Sequence, residues 1–432
     1  MTQSRTVTRP IRSHFFNPVW LYSAGGLLVV GMIIGQPAIS LLASAVFVTA
    51  GTTWLWTRHS LDGLVYSRRL SENRAFRGEI LTMTFQLENR SWLPLAWVEI
   101  DEHISDRVRP LETQALPSDR VATTAVRHAT PLRWKQRVTW SVDLQCQERG
   151  AHMAGPTSIR SGDPFGFFTR QMNIEDRTSF LVYPEVVSLP ESDFPPDYPF
   201  GSQRVRTHLL TDPIRLIGVR PYAPDDSTRY IHWKASARLQ EPQVKIFEPT
   251  IALQAGLFLS LDTFERYWEG MDSVRAESAI IAAASLASAL LESRYTVGLY
   301  VNAVITGSDQ TLRIPPGRGP RQLETILEGL ARLSPMSSTN FPRMLTSEAR
   351  SLPAGSTVAI IACLMTEPLE VAILSLLDDG HRVVLVRVGD IAVPDTPKLH
   401  VYTVGEQLSE HRDGARHRYA RLVRAGALAH DI

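Results

Sequence analysis

The sequence predicts a multidomain α+β protein with an N-terminal two-helix transmembrane hairpin, a β-sandwich-like middle domain and an α/β C-terminal domain. Residues 13–57 contain no Asp, Glu, Lys or Arg, apolar and polar residues alternate within 64–183, and apolar strands alternate with helices after about residue 250. Period-two alternation is typical of half-buried strands, whereas apolar strands separated by helices are typical of a parallel sheet. We place the boundaries at 1–17 (N-terminal tail), 18–57 (hairpin), 58–190 (sandwich), 191–250 (linker and polar segment) and 251–432 (α/β domain).

The composition excludes several classes of protein. The 432 residues include 45 Lys+Arg and 44 Asp+Glu, which gives a formal net charge of +1. So even a balance argues against a nucleic-acid-binding protein. Hydrophobic residues make up 44% of the chain, enough to fill real cores. The two cysteines, Cys146 and Cys363, are far apart, which excludes a disulfide framework or a cysteine-based zinc site and fits a reducing compartment.

Two apolar runs, 19–35 and 38–56, make up the charge-free stretch. Each is close to the roughly 20 helical residues that cross the hydrocarbon core of a bilayer. Gly35 and Pro37 predict the tip of a hairpin, because proline cannot continue a helix without losing a hydrogen bond. A cleaved signal peptide has one shorter apolar stretch, and a soluble helical hairpin keeps a polar stripe. We therefore favour the membrane hairpin.

Basic residues flank the hairpin at both ends, and its tip has none. They are Arg5, Arg9 and Arg12 before the first run and Arg58, Arg68 and Arg69 after the second. Because segments rich in Lys and Arg stay on the cytoplasmic side, we expect a two-span protein of the cytoplasmic (inner) membrane. Its N- and C-termini would both be cytoplasmic.

The middle region reads as a small antiparallel sandwich. The clearest alternating runs are 80–89 and 133–144, and shorter candidates are 64–70, 97–104, 121–126 and 179–183. Several short strands separated by Pro and Gly are typical of such a sandwich. We interpret it as a spacer or interaction module. The stretch 162–168 predicts a tight turn followed by an aromatic plug, which is architecture rather than a catalytic site.

The C-terminal region predicts a parallel sheet with helices on both faces. The candidate strands are 257–261, 295–301, 357–363 and 382–388, and the candidate helices are 274–293, 321–333, 369–379 and 415–429. We interpret 315–320 as a turn-rich loop. The sequence contains neither G-x-G-x-x-G nor G-x-x-x-x-G-K-[ST], so dinucleotide and P-loop phosphate binding have no support.

The densest group of polar side chains lies in residues 218–248. The candidate site residues are Gly218, Arg220, Tyr222, Asp225, Asp226, Arg229, His232, Trp233, Lys234 and Arg238. We expect residues 226–228 to cap a short helix. On that helix Arg229 and Trp233 would share one face, as would Lys234 and Arg238.

These residues resemble the signature of the domain-of-unknown-function 58 family, which reads approximately G-x-R-x-Y-x-x-G-D-D-x-R-x-I-x-W-x-x-x-A-R. Two positions depart from it, because Pro224 stands where Gly is frequent and His232 where Asp is frequent. The resemblance also covers the two N-terminal spans, Arg149-Gly150 and the Asp163-Pro164-Phe165-Gly166 turn. It implies a von Willebrand factor A-like (Rossmann-like) C-terminal domain and a MoxR-type AAA+ ATPase as partner.

A metal-binding domain of the A type would need D-x-S-x-S after its first strand, because one Asp and two Ser oxygens hold a divalent cation. The corresponding residues here begin at Asp262, but Phe264 and Arg266 stand at the two serine positions. We therefore expect a degenerate metal-site position at Asp262 and no bound metal.

Two functions from different classes compete. In an enzyme, Asp225, Asp226 and His232 would act as the acid–base groups of a membrane-bound hydrolase. In the alternative, arginines of the segment pair with its carboxylates and with Glu248, so that the segment is structural or partner-binding. No nucleophile motif or metal-ligand spacing accompanies the cluster, so we assign no catalytic residue and no cofactor.

We therefore expect a membrane-anchored cytoplasmic interaction or scaffold protein and not an enzyme. Its partners would be the lipid bilayer and a MoxR-type AAA+ ATPase, in protein complex assembly or cell-envelope processes, with no nucleic acid. The sequence specifies no oligomeric state.

Overall fold

A computed structural model describes residues 6–8, 12–13, 18–111, 115–187, 210–223, 228–250, 254–265, 269–353, 355–389, 392–393, 396 and 399–404. The chain divides into two compact units, Met1–Pro184 and Glu185–Ile432. The predicted linker within 191–199 and the predicted helix 415–429 lie outside the described residues.

Two apolar helices form the N-terminal hairpin, as predicted. They are α1 (Pro18–Ile34) and α2 (Pro37–Ser60). Gly35 adopts a left-handed φ of 72°, and the Gln36 amide donates to the Gly31 carbonyl (3.2 Å), so α1 ends in a Schellman-type cap. Pro37 starts α2 at its first helical position, where its missing N–H costs no hydrogen bond.

Within its described residues the first unit has thirteen strands, before and after this hairpin in the sequence. They are β1 (Thr6–Thr8), β2 (Arg12–Ser13), β3 (Leu64–Leu70), β4 (Arg74–Phe76), β5 (Ile80–Asn89), β6 (Leu95–Ser105), β7 (Val108–Pro110), β8 (Ala115–Pro117), β9 (Thr123–Leu132), β10 (Arg137–Cys146), β11 (Gly150–Gly162), β12 (Phe168–Ile174) and β13 (Thr178–Tyr183). One sheet has the order β1-β12-β11-β6-β9-β8, with β2, β4 and β13 off this path, and the second has the order β3-β5-β10-β7. Apart from the parallel pair β4–β13, the described strands of the first unit pair antiparallel.

The two sheets share one core, because side chains from both contact each other in the same apolar clusters. Phe85 and Leu144 of the smaller sheet pack with Ile104 and Phe180 of the larger one. The alternation in β5 is buried on one face only, which is the pattern that predicts a sandwich strand. The strands β3 and β5 have the predicted bounds.

Two strand predictions were shifted. The run 133–144 begins as a strand only at Arg137, because Lys135 has a left-handed φ of 52° and belongs to a turn. The run 121–126 begins only at Thr123 and extends to Leu132, because Ala122 has a φ of 55°. The strands β11 and β12 were not predicted.

A buried polar group crosslinks the two sheets. Arg68 of β3 pairs with Glu102 of β6, and both side chains are almost fully buried. Glu102 Oε2 also accepts from Tyr66 Oη (2.7 Å) and from Thr157 Oγ1 (2.6 Å). Burial and the neighbouring carboxylate raise the pKa of Tyr66 well above its usual value, so the phenol stays a donor.

The second unit contains nine further strands and five helices within its described residues. They are β14 (Leu210–Pro221), α3 (Trp233–Leu239), β15 (Gln243–Thr250), β16 (Gln254–Leu259), α4 (Ser273–Glu292), β17 (Thr296–Ile305), β18 (Thr311–Gly317), α5 (Pro320–Ala331), β19 (Leu333–Ser337), α6 (Phe341–Ala349), β20 (Thr357–Ala362), α7 (Glu367–Asp378), β21 (Arg382–Val388) and β22 (His400–Val404). The strands β14 and β15 form a separate antiparallel hairpin.

The main sheet has the order β18-β17-β16-β20-β21-β22, and β19 pairs with β17. The strands β16, β17, β20 and β21 are parallel, as predicted, β22 adds a parallel strand that was not predicted, and β18 is antiparallel. The chain moves from β16 outward to β17 and then returns to β20 on the other side of β16. Ligands of such open sheets bind outside the carboxyl ends of the strands at this switch point.

The turn-rich loop predicted at 315–320 was wrong in part, because Pro315–Gly317 belong to β18. This strand lies at the edge of the sheet, where proline costs no ladder hydrogen bond. The helix α4, with 20 residues, is also long and apolar enough to cross a membrane, but it is mostly buried in the core, whereas α2 is mostly exposed. Among the helices that the structure describes, α1 and α2 are therefore the two whose apolar side chains are mostly exposed.

Candidate functional site

The polar segment of residues 218–248 forms a β-hairpin with a short helix in its connection. Gly218 pairs with Ile246 and Arg220 with Val244, so β14 and β15 run side by side. After residues 224–227, which lie outside the described part of the chain, Thr228–Tyr230 forms a 3₁₀ turn. The helix α3 then carries Trp233, Lys234 and Arg238.

Hydrogen bonds of His232 and Ser236 with Gln243 hold α3 against β15. The His232 amide donates to the Gln243 carbonyl (2.7 Å), and the Gln243 amide donates to Ser236 Oγ (2.8 Å). His232 Nδ1 accepts from the Ala235 amide (3.1 Å), so the imidazole caps the helix. An aspartate at position 232 would accept a hydrogen bond from the same amide. Histidine can therefore replace the aspartate that is frequent at this position of the signature without loss of the helix cap. Reasoning from sequence missed both Ser236 and Gln243.

The predicted helix across 229–238 was therefore wrong in its first part. Arg229 lies in the 3₁₀ turn and stacks over the Tyr230 ring (4.7 Å), whereas Trp233 begins a new helix. The backbone of His232 lies outside the helical region (φ −91°, ψ 82°), and its amide bonds to β15 rather than continuing the helix. Lys234 and Arg238 do share a helix at the predicted spacing. Asp225 and Asp226, the predicted carboxylates of the cluster, lie outside the described residues.

The described side chains of the signature are not buried. Trp233 is 74% exposed and Arg220, Arg229, Lys234 and Arg238 are exposed, while Tyr222 and His232 are half-buried. The side chains of Asp225, Asp226 and Glu248, with which the ion-pair interpretation pairs the arginines, lie outside the described part of the segment, so that interpretation stays a prediction. Between residues 228 and 240 the described charged side chains, Arg229, Lys234 and Arg238, are all basic and exposed.

The second candidate position lies at the switch point of the main sheet. Asp262 follows β16, and its Oδ2 accepts from Ser260 Oγ (3.1 Å) and from Asn302 Nδ2 (2.9 Å). The Asn302 Oδ1 accepts from the Leu261 amide (2.9 Å). Asn302 is fully buried within β17, and its side-chain amide fixes the loop that contains Asp262. Sequence reasoning missed Asn302, whose only signal is a lone amide inside an apolar strand.

The amino end of α4 faces the same region, and it is already capped. Asp272 Oδ1 accepts from the amides of Val274 (3.0 Å) and Arg275 (3.2 Å). A carboxylate of the chain thus occupies the position where an anionic ligand would bind a helix terminus. Cys363 follows β20 and is buried, and burial raises the pKa of its thiol to about 12. It is therefore a poor nucleophile.

These residues do not fit a divalent cation. The bonds from Ser260 and Asn302 engage Asp262 Oδ2, and Phe264 offers no oxygen. Among the described residues no group of three His, Cys, Asp or Glu side chains is arranged to hold a metal. We derive no metal chemistry at this position, and Arg266 lies outside the described residues.

Comparison with protein families gives one match in the C-terminal half. Residues 218–426 match the family described as "Protein of unknown function DUF58". The match begins at the first residue of the signature. A similar protein is the uncharacterized protein YeaD of Bacillus subtilis (strain 168), 25% identical over 237 residues. That similarity covers 54% of this chain and 54% of YeaD.

Similar solved structures include the CARDB domain of the PF1109 protein from Pyrococcus furiosus, which is 6% identical with a TM-score of 0.19 and covers 28% of this chain and 91% of that one. A non-cellulosomal cohesin from Archaeoglobus fulgidus is 10% identical with a TM-score of 0.19, over 27% of this chain and 90% of that one. AvmM, which catalyses a macrocyclization in alchivemycin A biosynthesis, is 15% identical with a TM-score of 0.21, over 30% and 93%. Such low TM-scores carry no inference about this chain.

Proposed function

We propose that this chain is a membrane-anchored cytoplasmic interaction protein whose signature hairpin binds a partner protein. The observation that carries the proposal is the exposure of the signature residues Arg220 on β14 and Trp233, Lys234 and Arg238 on α3. Trp233 is 74% exposed, and large aromatic and arginine side chains are typical of the residues that dominate binding energy at interfaces.

Membrane anchoring is supported by the side chains that the hairpin leaves uncovered. Met32, Ile33, Leu41 and Val48 are all exposed, which in water would form an apolar patch too large for a soluble monomer. The 24 residues of α2 span about 36 Å at about 1.5 Å per residue, slightly more than a hydrocarbon core of about 30 Å. Cytoplasmic termini are supported by the basic flanks.

The partner class follows from the chemistry of the α3 surface. Arg229, Lys234 and Arg238 are exposed on the same short stretch of chain as Trp233 and Leu239, so a complementary surface would be acidic with an apolar pocket. The resemblance to the domain-of-unknown-function 58 family suggests a MoxR-type AAA+ ATPase as that partner. The C-terminal unit, with its parallel sheet and antiparallel strand β18, is compatible with the A-like fold that the same resemblance implies.

A scaffold role rather than catalysis is supported by what the described polar groups do. His232, which the hydrolase alternative needs as an acid–base group, uses its Nδ1 to cap α3. Asp262 is engaged by Ser260 and Asn302. Both groups thus have local structural partners.

The test is affinity capture of the full chain from solubilised membranes, followed by binding of the captured ATPase in purified form. We expect Trp233→Ala and Arg238→Glu each to weaken the Kd by about tenfold or more, corresponding to about 1.4 kcal/mol. The matched control is Trp134→Ala, which removes another exposed tryptophan outside the signature.

The control should bind like the unmodified chain. The proposal fails if no AAA+ ATPase is captured with or without nucleotide, or if the signature variants bind as tightly as the control.

A further inference from the structure

The loops at one end of the sandwich lie beside the end of α2. The Thr57 Oγ1 of α2 donates to the Phe168 carbonyl (3.4 Å), which closes the β11–β12 turn. Arg170 of β12 also donates to the Arg58 carbonyl and to Asp62 Oδ1 (2.8 Å). The carboxyl end of α2 is therefore bonded to the strand that follows this turn.

Two further loops lie at the same end. The Gly63 carbonyl, three residues after α2, accepts from the Arg90 amide (3.0 Å) of the β5–β6 loop. The adjoining Asn89 amide donates to the Gln136 carbonyl (2.9 Å), which brings in the β9–β10 turn. The β5–β6, β9–β10 and β11–β12 connections thus surround the point where the chain leaves α2.

The exposed aromatic residues of the sandwich lie on these three connections. Within the described residues 64–183, Trp92 is 79% exposed, Trp134 63% and Phe165 69%. The Lys135 ammonium stands 4.4 Å above the Trp92 ring. At the opposite end of the sandwich the most exposed large apolar residue is Val121, which is 96% exposed and not aromatic. Within the described residues 64–183 the exposed Trp, Tyr and Phe side chains therefore all lie at the α2 end.

Charge at this end favours an anionic surface. Besides Lys135, the connections carry Arg90 and Arg133, and Arg58 lies in the last turn of α2 over the Trp54 ring (5.2 Å). The acidic groups nearby already have partners, because Glu88 pairs with Arg90 and Arg137 and Asp62 with Arg170. Tryptophan rings beside lysine and arginine are the combination found at membrane–water interfaces.

We infer that this end of the sandwich rests on the membrane, with Trp92, Trp134, Lys135 and Phe165 (the aromatic rim) in the phospholipid headgroup layer. The inference rests on the proposed anchoring, because α2 is what delivers the rim to the bilayer. It goes further by fixing which end of the sandwich faces the lipid and which end faces the cytoplasm. The occupant is the anionic headgroup layer of the same membrane.

The test uses the full chain in nanodiscs of phosphatidylcholine and phosphatidylglycerol, one chain per disc, which excludes a second copy as the occupant. Single cysteines at Trp134→Cys, Phe165→Cys and Val121→Cys carry an environment-sensitive fluorophore. The native thiols give little background, because Cys146 and Cys363 are both buried. The quencher is a nitroxide on the lipid headgroup.

We expect labels at 134 and 165 to lose most of their emission to the headgroup nitroxide and the label at 121 to lose none. A label at Met32→Cys, with a nitroxide on the acyl chain, reports insertion of the hairpin independently. If the Met32 label is quenched but those at 134 and 165 behave like that at 121, the rim is not on the membrane and this inference is wrong. If the Met32 label is not quenched, the anchoring itself fails.

A charge variant separates contact through lysine from simple proximity. Lys135→Glu should reduce headgroup quenching of the Trp134→Cys label in discs that contain phosphatidylglycerol, since the glutamate repels the anionic lipid. The same variant should leave the Met32 label quenched as before. Unchanged quenching at 134 would contradict the electrostatic part of the inference.

Discussion

The Asn302 Nδ2 donates a 2.9 Å hydrogen bond to Asp262 Oδ2 and so joins β17 to the loop after β16. The Asn302 carbonyl also accepts from the Ser338 amide (2.8 Å) before α6. The side-chain amide of Asn302 thus fixes the loop after β16, and its backbone carbonyl holds the segment before α6.

Asn302→Asp should destabilise the second unit by about 3 kcal/mol, because it places a buried carboxylate against Asp262 and removes the donor. The exchange Asn302→Asp with Asp262→Asn should recover part of this loss, since it restores one donor and one acceptor. The measurement is the rate at which Cys363 reacts with a thiol reagent in urea. Cys146, buried in the first unit, is the internal control and should react as in the unmodified chain. Equal reactivity of Cys363 in all variants would contradict this role.

Glu102→Gln should destabilise the sandwich by about 3–5 kcal/mol, because Arg68 would remain buried without its carboxylate. Replacing both residues, as Arg68→Met with Glu102→Leu, should cost less than Glu102→Gln alone, since no unpaired charge is left. Here Cys146 is the reporter in urea and Cys363 the control. A double variant that is less stable than the single one would show that the pair itself supplies net stability.

His232→Ala should loosen α3 locally by about 1 kcal/mol, the usual cost of losing a helix cap. His232→Asp should preserve the cap, because a carboxylate accepts from the same amide. Amide hydrogen exchange at Ala235 and Ser236 measures the effect directly. Faster exchange in His232→Asp than in His232→Ala would be inconsistent with the capping role.

The sandwich should lose stability as the pH falls below about 6.5. Burial lowers the pKa of His152 and of His128 from their usual value of 6.5, so the unfolded chain binds protons that the folded chain does not. Stability is therefore full above pH 6.5 and declines as the pH falls through the lowered values. The double variant His128→Gln, His152→Gln should show a weaker dependence of the urea midpoint on pH between 7.5 and 5. Each unit by which folding lowers a histidine pKa corresponds to about 1.4 kcal/mol of stability. Parallel profiles for the two chains would contradict this origin.

Much of the fold follows from local patterns in the sequence. The strands β3 and β5 have the predicted bounds, and in β5 apolar and polar side chains alternate from Leu81 to Glu88. The parallel strands β20 and β21 were predicted because both of their faces are buried. For β5, β20 and β21 the order of apolar and polar side chains along the strand is enough to predict which faces are buried.

The rest depends on contacts between distant residues. The strand β11 is built largely of small residues, so its alternation carries no apolar signal. Gly155 is needed there because a Cβ would meet the Asp176 carbonyl and the Arg68 guanidinium, neither of which is near in sequence. The roles of Asn302 and Gln243 are likewise set by the loops that reach them.

The candidate site was predicted as a set of residues but not as an arrangement. The signature identified the segment, yet the helix cap, the position of Arg229 and the exposure of Trp233 depend on the hydrogen bonds of Gln243. A charged cluster in a sequence suggests a buried network by default, because charges in a core must be paired. Here the described charges face outward.

The central claim is that the apolar hairpin crosses the membrane and leaves the rest of the chain on the cytoplasmic side. The most direct test is labelling of Gln36→Cys, at the hairpin tip, and Gln310→Cys, on an exposed turn of the second unit, with an impermeant maleimide in right-side-out membrane vesicles. We predict that Gln36→Cys reacts in intact vesicles and that Gln310→Cys reacts only after permeabilisation. Reaction of Gln310→Cys in intact vesicles, or recovery of the chain in the soluble fraction, would contradict the account.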